Sequence, residues 1–193
     1  MRADSNFVEM YKSNSKLIIN EISHLLISVD PEEVYILVDE IIKADKVFFI
    51  GVGRVFLSLQ CFCKRLAHFG IEANIVGAIN EKAMTPRDLL IVASGSGESI
   101  FPAVIAKQAV ALDGRIGLIT SASDSTIKTI SNFAVHLPSP TKNDPNLGVK
   151  SKQPMSTLFD QALHIFGDVV SMIIQSEKGL TKEELWNYHA NLE

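Results

Sequence analysis

The chain has 193 residues, 47% of them hydrophobic, 21% charged and 7% aromatic. That length suits one domain of roughly 100–200 residues, and the composition is too apolar for a disordered chain. Eighteen Lys and Arg against 22 Asp and Glu leave a net charge of -4, which argues against nucleic acid as a partner, because such partners call for a basic surface.

The elements follow in chain order. Phe7, Val8, Tyr11, Leu17, Ile18, Ile22, Leu25 and Leu26 are helically spaced among Lys, Glu and Asn, and predict an opening helix. Asp30-Pro31 reads as an N-cap with Pro at the first helical position, starting a second helix that runs to about Ala44. Short apolar runs then appear at 47–50, 73–76, 89–93, 116–119 and 133–137. Each is too short for a helix and most are rich in β-branched residues, so each predicts a strand buried on both faces. Helical stretches at 56–68, 100–112 and 125–130 separate most of them. This alternation predicts an α/β fold, a parallel sheet with helices on both sides. Residues 139–153 form a polar loop holding Pro140, Pro145 and Gly148. Residues 154–175 form a helix that is apolar nearly all round, which implies burial; with the opening helix it suggests a subunit interface and a homo-oligomer. Thr181 and Glu184 make a capping-box pattern for a short tail helix. No repeat or composition break divides the chain, so 1–193 is expected to be a single domain: helices to 45, the sheet from 46 to 138, the loop, then helices from 154.

The longest strand-like runs fall well short of the ~20 residues a bilayer requires, and no membrane partner is expected. The opening MRADSNFVEMYK lacks the apolar stretch of a secretion signal. Cys61 and Cys63 stand two apart and would project from different helix faces, which disfavours a disulfide or a metal pair and fits the reducing cytoplasm.

Two Gly/Ser-rich turns lie where a strand meets a helix: Gly51-Val52-Gly53-Arg54, and Ser94-Gly95-Ser96-Gly97-Glu98-Ser99. Ligands of open parallel sheets bind at the carboxyl ends of strands, where turn amides and helix N-termini present partial positive charge. Glycines let the backbone approach an anion, and the hydroxyls of Ser94, Ser96 and Ser99 add donors to phosphate oxygens. The second turn is the more specific signal. Thr120 and Ser121, at the end of the next strand, either offer further hydroxyls or cap the helical stretch after them. Neither turn carries the full G-x-G-x-x-G dinucleotide pattern. Asp160 lies near the start of the long apolar helix, where it either faces a cleft or complements the helix dipole. His68 ends an apolar helix beside Lys64 and Arg65, a position that also suits a cap. Glu98 reads as a first-turn helix residue. His24, His136 and His164 lack a partner pattern, and nothing resembles a zinc-site spacing.

The SGSGES turn between an apolar strand and a helix resembles the sugar isomerase (SIS) domain. GVGR followed by KRLAHFG, DLLIVASGSGES, PMSTLFDQALHIFGD and the ending HANLE resemble the 6-phospho-3-hexuloisomerase family from about Phe7 to Glu193. The resemblance implies a flavodoxin-like three-layer αβα sandwich with a five-stranded parallel sheet, and a homotetramer. It implies interconversion of 3-hexulose 6-phosphate and fructose 6-phosphate through an enediolate, without metal or organic cofactor. It places phosphate binding on Ser94, Ser96 and Ser99 of the SGSG turn; Gly53, Arg54, Gly95, Gly97, Thr120 and Ser121 stand beside them as candidate substrate- or phosphate-binding residues from the turns themselves. Asp160 becomes the proton acceptor, and His68 the family's ring-opening or carbonyl-polarising histidine. Arg54 would pair with phosphate, stabilise an enediolate, or pair with an acid; His189 would cap a helix or reach a neighbouring subunit's site. The chain departs from the family pattern at Val55 (usually Ser), at Asp160 (usually Glu), and at 78–82, where AINEK replaces a Thr-rich stretch. A phosphosugar-binding module without turnover is the alternative function.

Overall fold

The structure, a computed structural model, describes residues 3–192. Met1, Arg2 and Glu193, the extreme ends of the expected domain, lie outside the described residues. Two helices open the chain: α1 (Ser5–Ile27) and α2 (Pro31–Lys43). Asp4 accepts a bond of 2.8 Å from the Phe7 amide and Asp30 one of 3.0 Å from the Glu32 amide, so both starts are closed by side chains. The sheet strands are β1 (Val47–Ile50), β2 (Ala73–Ile75), β3 (Leu89–Ala93), β4 (Arg115–Thr120) and β5 (Phe133–His136). They pair in parallel in the order β2-β1-β3-β4-β5. The remaining helices are α3 (Gly53–Ala67), α4 (Ile100–Ala111), α5 (Thr157–Glu177) and α6 (Lys182–Trp186).

Strand alternation divides the core in two. Val47, Phe49, Leu89, Ile91 and Ala93 face α2, α3 and α5, joining Leu37, Ile41, Leu59, Phe62, Leu163 and Phe166. Phe48, Ile50, Leu90, Val92, Ile116 and Leu118 face α4 and meet Ala106 and Ala109. Because β1 and β3 are neighbours while β2 lies outside β1, the chain reverses its direction of sheet growth between them. That switch point opens a crevice at their carboxyl ends, and Ile50 opposite Val92 sets the two glycine-rich turns side by side.

Three expectations need correction. Residues 125–130 form only a single 3₁₀ turn at Lys128–Ile130, because buried Ile127 plugs the sheet and Ser125 and Ser131 bond back to the backbone. The link from β2 to β3, for which no helix was expected, is a loop over 76–88, with β2 at the sheet edge. The edge strands β2 and β5 are largely half-buried, not buried on both faces. Finally, α5 is long and apolar enough to cross a membrane by length and composition, but 56% of its apolar window is buried in the fold. One face of it packs inward, while Ile165, Val169, Met172 and Ile173 stay exposed.

The joint between α3 and α5 orients everything at the crevice. Gly167 of α5 lets the helices close up, since a Cβ there would stand 3.1 Å from the Phe62 side chain. Phe62 meets Phe49 edge-on with ring centroids 5.3 Å apart. Phe62→Ala is expected to cost about 3–5 kcal/mol and lower Tm by about 6–20 °C. Thermal unfolding checks this, and a loss below about 1 kcal/mol would show that the joint does not depend on that ring.

Candidate functional site

A cavity of about 360 Å³ lies at the switch point. Three helices begin at its wall: α3 after Val52, α4 after Ser99 and α5 after Ser156. None of the three N-cap residues makes a side-chain capping bond. By contrast α1, α2 and α6, which start elsewhere, are each capped by Asp or Thr. The first turns of α3 and α4 also hold no acidic residue. The cavity therefore collects the positive ends of three helix dipoles, with free amide donors and no built-in anion on two of them.

The 94–99 turn is held from behind. Ser94 is nearly buried; its Oγ accepts from the Gly97 amide at 3.1 Å and lies 2.9 Å from Ser99 Oγ. Gly97 has φ +65°, and a Cβ there would fall 2.1 Å from Ser125 Oγ. Only glycine meets both demands. Ser96 Oγ accepts from the Glu98 amide at 3.2 Å, which leaves its hydroxyl proton free to donate into the cavity. Gly95 and Ser99 complete this wall, and Gly53, with φ +60°, shapes the opposite one.

Asp160 stands in the first turn of α5, almost buried, with Oδ2 3.5 Å from Arg54 Nε. Its backbone carbonyl accepts from buried Ser58 Oγ at 3.0 Å, which ties this turn to α3. Burial pushes the Asp160 carboxyl above the usual carboxylate range, and the charges of Arg54 and Lys142 pull back without cancelling the effect. Arg54 also approaches Thr157 Oγ1 at 3.5 Å. The Arg54–Asp160 pair forms part of the wall of a second recess as well, of about 440 Å³, which includes Ser58, Cys61, Gln161 and His164.

The structure thus brings together Gly53, Arg54, Ser94, Gly95, Ser96, Ser99 and Asp160, with Gly97 as the hidden hinge. Thr120 and Ser121 are placed differently. Thr120 Oγ1 donates to the Gly95 carbonyl at 3.2 Å, and Ser121 Oγ to the Leu137 carbonyl at 2.8 Å; both are buried and neither borders the cavity. The Thr120 hydroxyl braces the turn from below, while that of Ser121 ties the end of β4 to the chain leaving β5. His68 lies at the far end of α3, a helix of 15 residues, or about 22 Å at 1.5 Å per residue. It stacks on His189 with centroids 4.8 Å apart, near Arg65 and Trp186, so it stands away from this chain's own cavity. Glu98 precedes α4 and does not open it; its carboxylate takes the Thr126 amide at 2.6 Å and points away from the cavity. Cys61 is exposed and Cys63 buried, as their spacing requires, and burial pushes the Cys63 thiol up to about 11. His136 joins Glu33 at 2.7 Å and serves the α2–β5 contact. Val55 lines the cavity with an apolar side chain, and the 78–82 loop does not reach it.

Sequence reasoning missed Thr141, Lys142, Asn143, Met155, Ser156 and Thr157 on the cavity wall. They come from the polar loop and its exit, where no periodicity announces a direction. One signal existed: the loop's only route back to the buried helix passes the crevice. Met155 has φ +57°, a conformation a non-glycine residue adopts at some expense, and such residues concentrate at functional sites.

Comparison with known proteins bears on this geometry. No family model matches the chain. It is 35% identical to the 3-hexulose-6-phosphate isomerase of Bacillus subtilis over 91% of this chain and 95% of that one. The chain belongs to the 3-hexulose-6-phosphate isomerase family. The family's enzyme from Mycobacterium gastri is 33% identical over 94% of this chain and 90% of that one. Among solved structures, a Methanococcus jannaschii protein inferred to be a 3-hexulose-6-phosphate isomerase superposes with a TM-score of 0.81. It is 28% identical, over 94% of this chain and 99% of that one. Family membership makes the chain an isomerase of phosphosugars on an SIS fold, as the sequence motifs implied.

Gly97→Ala is expected to cost about 1–3 kcal/mol, because the turn must hold a left-handed residue against Ser125. Amide exchange across 94–99 should accelerate in the same variant. Unchanged stability and exchange would show that the turn tolerates a side chain and is not fixed by Gly97.

Proposed function

We propose that the chain interconverts 3-hexulose 6-phosphate and fructose 6-phosphate, with Asp160 as the group that moves the proton. One observation carries the reading: a nearly buried carboxylate shares a cavity with three uncapped helix starts and a serine turn. Phosphate sits on the amides and hydroxyls of the 94–99 turn, assisted by the start of α3 at Gly53. A dianion offsets the unmet donors of all three helices at once. Among the described residues, Arg54 and Lys142 are the cationic side chains of the cavity wall.

The chemistry then needs one carboxylate. In the 3-ketose, Asp160 takes the proton from carbon 2, and the electron pair forms the C2=C3 double bond of an enediolate. The charge gathers on the oxygen at carbon 3, where Arg54 stabilises it. The proton held on the Asp160 carboxyl exchanges with water, and delivery of a proton from that carboxyl to carbon 3 restores a carbonyl at carbon 2, while the hydroxyl proton passes from O2 to O3. Burial serves this role, because a carboxylate lifted above its usual range is a better base near neutral pH. The chain acts as one domain, and self-association through exposed apolar residues of α1 and α5, such as Ile19, Ile27, Val169 and Met172, supports a homotetramer. Free Cys61 and Cys63 support a cytoplasmic setting.

Incubation with fructose 6-phosphate in deuterated water should place deuterium at carbon 3 and none at carbon 1, read by proton NMR. Label at carbon 1 would mean aldose formation and a different isomerase; no label together with phosphosugar binding would mean a module without turnover. Asp160→Asn should reduce exchange by about 10²–10⁴-fold while leaving inorganic phosphate binding in place. Ser96→Ala should weaken phosphate binding about tenfold, for one lost hydrogen bond to a charged group.

The pH profile provides a separate check. The active form is the ionised Asp160, so the acid limb of kcat/KM should lie above the ordinary aspartate value. Arg54 lowers that pKa, so Arg54→Ala should move the limb to higher pH. A limb that stays put or moves down would remove Asp160 as the titrating base.

A further inference from the structure

We propose that Glu21, on α1 and far from the chemistry in sequence, is a positioning residue that aims the start of α5 and its Asp160 into the cavity. The inference rests on the isomerase reading above. Glu21 is 7% exposed. A carboxylate removed from water is costly unless donors surround it, and here three consecutive residues supply them. Ser151 Oγ donates to it at 2.6 Å, the Lys152 amide at 2.8 Å and Gln153 Nε2 at 2.9 Å. Burial alone would raise its carboxyl, but these bonds outweigh burial and hold it below the usual range, so it stays ionised wherever the enzyme works.

The three donors sit at one place in the chain. Directly after Gln153 come Pro154 and Met155, the residue with φ +57°, then Ser156 and the first turn of α5. Thr157 bonds back to the Pro154 carbonyl through both its amide, at 3.2 Å, and its hydroxyl, at 2.6 Å. A left-handed non-glycine residue persists only when its surroundings over-determine it. On the upstream side that determination comes from Glu21. The loop's entry is anchored independently, by Ser139 on Ser121 at 2.7 Å and by the Val149 amide on the Pro138 carbonyl at 2.9 Å. Glu21 therefore governs the exit segment, and through it the aim of Asp160, without touching the phosphate turn.

A purely structural role would lower stability and affect all of the site together. A positioning role separates the two halves: proton transfer suffers and phosphate binding does not, because the 94–99 turn has its own supports. Carboxylate is specifically required, since all three partners are donors and a carboxamide turns an N–H₂ toward at least one of them.

The test compares Glu21→Ala and Glu21→Gln with Ile41→Val, a remote core variant that sets the effect of lost stability alone. For Glu21→Ala, kcat with fructose 6-phosphate should fall at least tenfold, with the inhibition constant of inorganic phosphate within twofold of wild type. Amide exchange should accelerate at 151–157 and not at 94–99, and Glu21→Gln should fall between. Retained kcat, or kcat and phosphate affinity lost together in step with Tm as in Ile41→Val, would overturn the inference. Should Glu21→Ala not fold, Glu21→Gln and Ser151→Ala carry the same readouts. Absent turnover by the wild type would sink the isomerase reading instead; unchanged exchange at 151–157 would sink the Glu21 inference in either case.

Discussion

Unmet backbone donors organise this molecule. An α-helix leaves its first amides without internal partners, and a fold ordinarily closes such ends with Asp, Asn, Ser or Thr. The chain does so for α1, α2 and α6. It withholds the cap from α3, α4 and α5, and it aims all three at one crevice. Water can satisfy these groups singly, but an oxyanion with several acceptors satisfies them together while meeting three dipoles of the same sign. The parallel sheet makes the convergence possible, because each strand of such a sheet delivers the next helix start to the same edge.

The single carboxylate in this positive field has a balanced setting. Burial raises the Asp160 pKa, and Arg54 and Lys142 restrain it. Neither influence is local to Asp160 in sequence. Burial comes from packing of α5 on α3, which depends on Gly167 meeting Phe62. Arg54 arrives from the first turn of α3, and Lys142 from the loop. A side chain only 3.5 Å from Arg54 and tied through its backbone to Ser58 is poised by three elements at once. The short Asp160 side chain keeps its carboxylate near the helix axis, where Arg54 meets it.

How far the site was legible depended on the kind of residue. The serine–glycine turn was readable because glycine at φ +65° and clustered hydroxyls answer a local need that the sequence must meet locally. Asp160 was readable through family motifs, since a lone acid near a helix start has a bland electrostatic explanation too. Thr120 and Ser121 illustrate the opposite case. Their type suggested phosphate donors, but a hydroxyl's direction is set by which carbonyl lies within reach, and here Gly95 and Leu137 lie closer than the cavity. His68 stands apart from this chain's own cavity for a simpler reason: it closes the C-terminus of α3, and a helix separates its two ends by its full length.

Sequence alone determined the parallel α/β architecture, the carboxyl-edge location of the ligand turns and the caps of α2 and α6. Those come from hydrophobic period, strand length and turn chemistry, which act between residues close in the chain. Only the tertiary structure decided that three uncapped starts share one cavity, that Lys142 and Met155 join its wall, and that Glu21 reaches Ser151 across 130 positions. Contacts of that range depend on which surfaces the packed core brings together, and no local pattern encodes them.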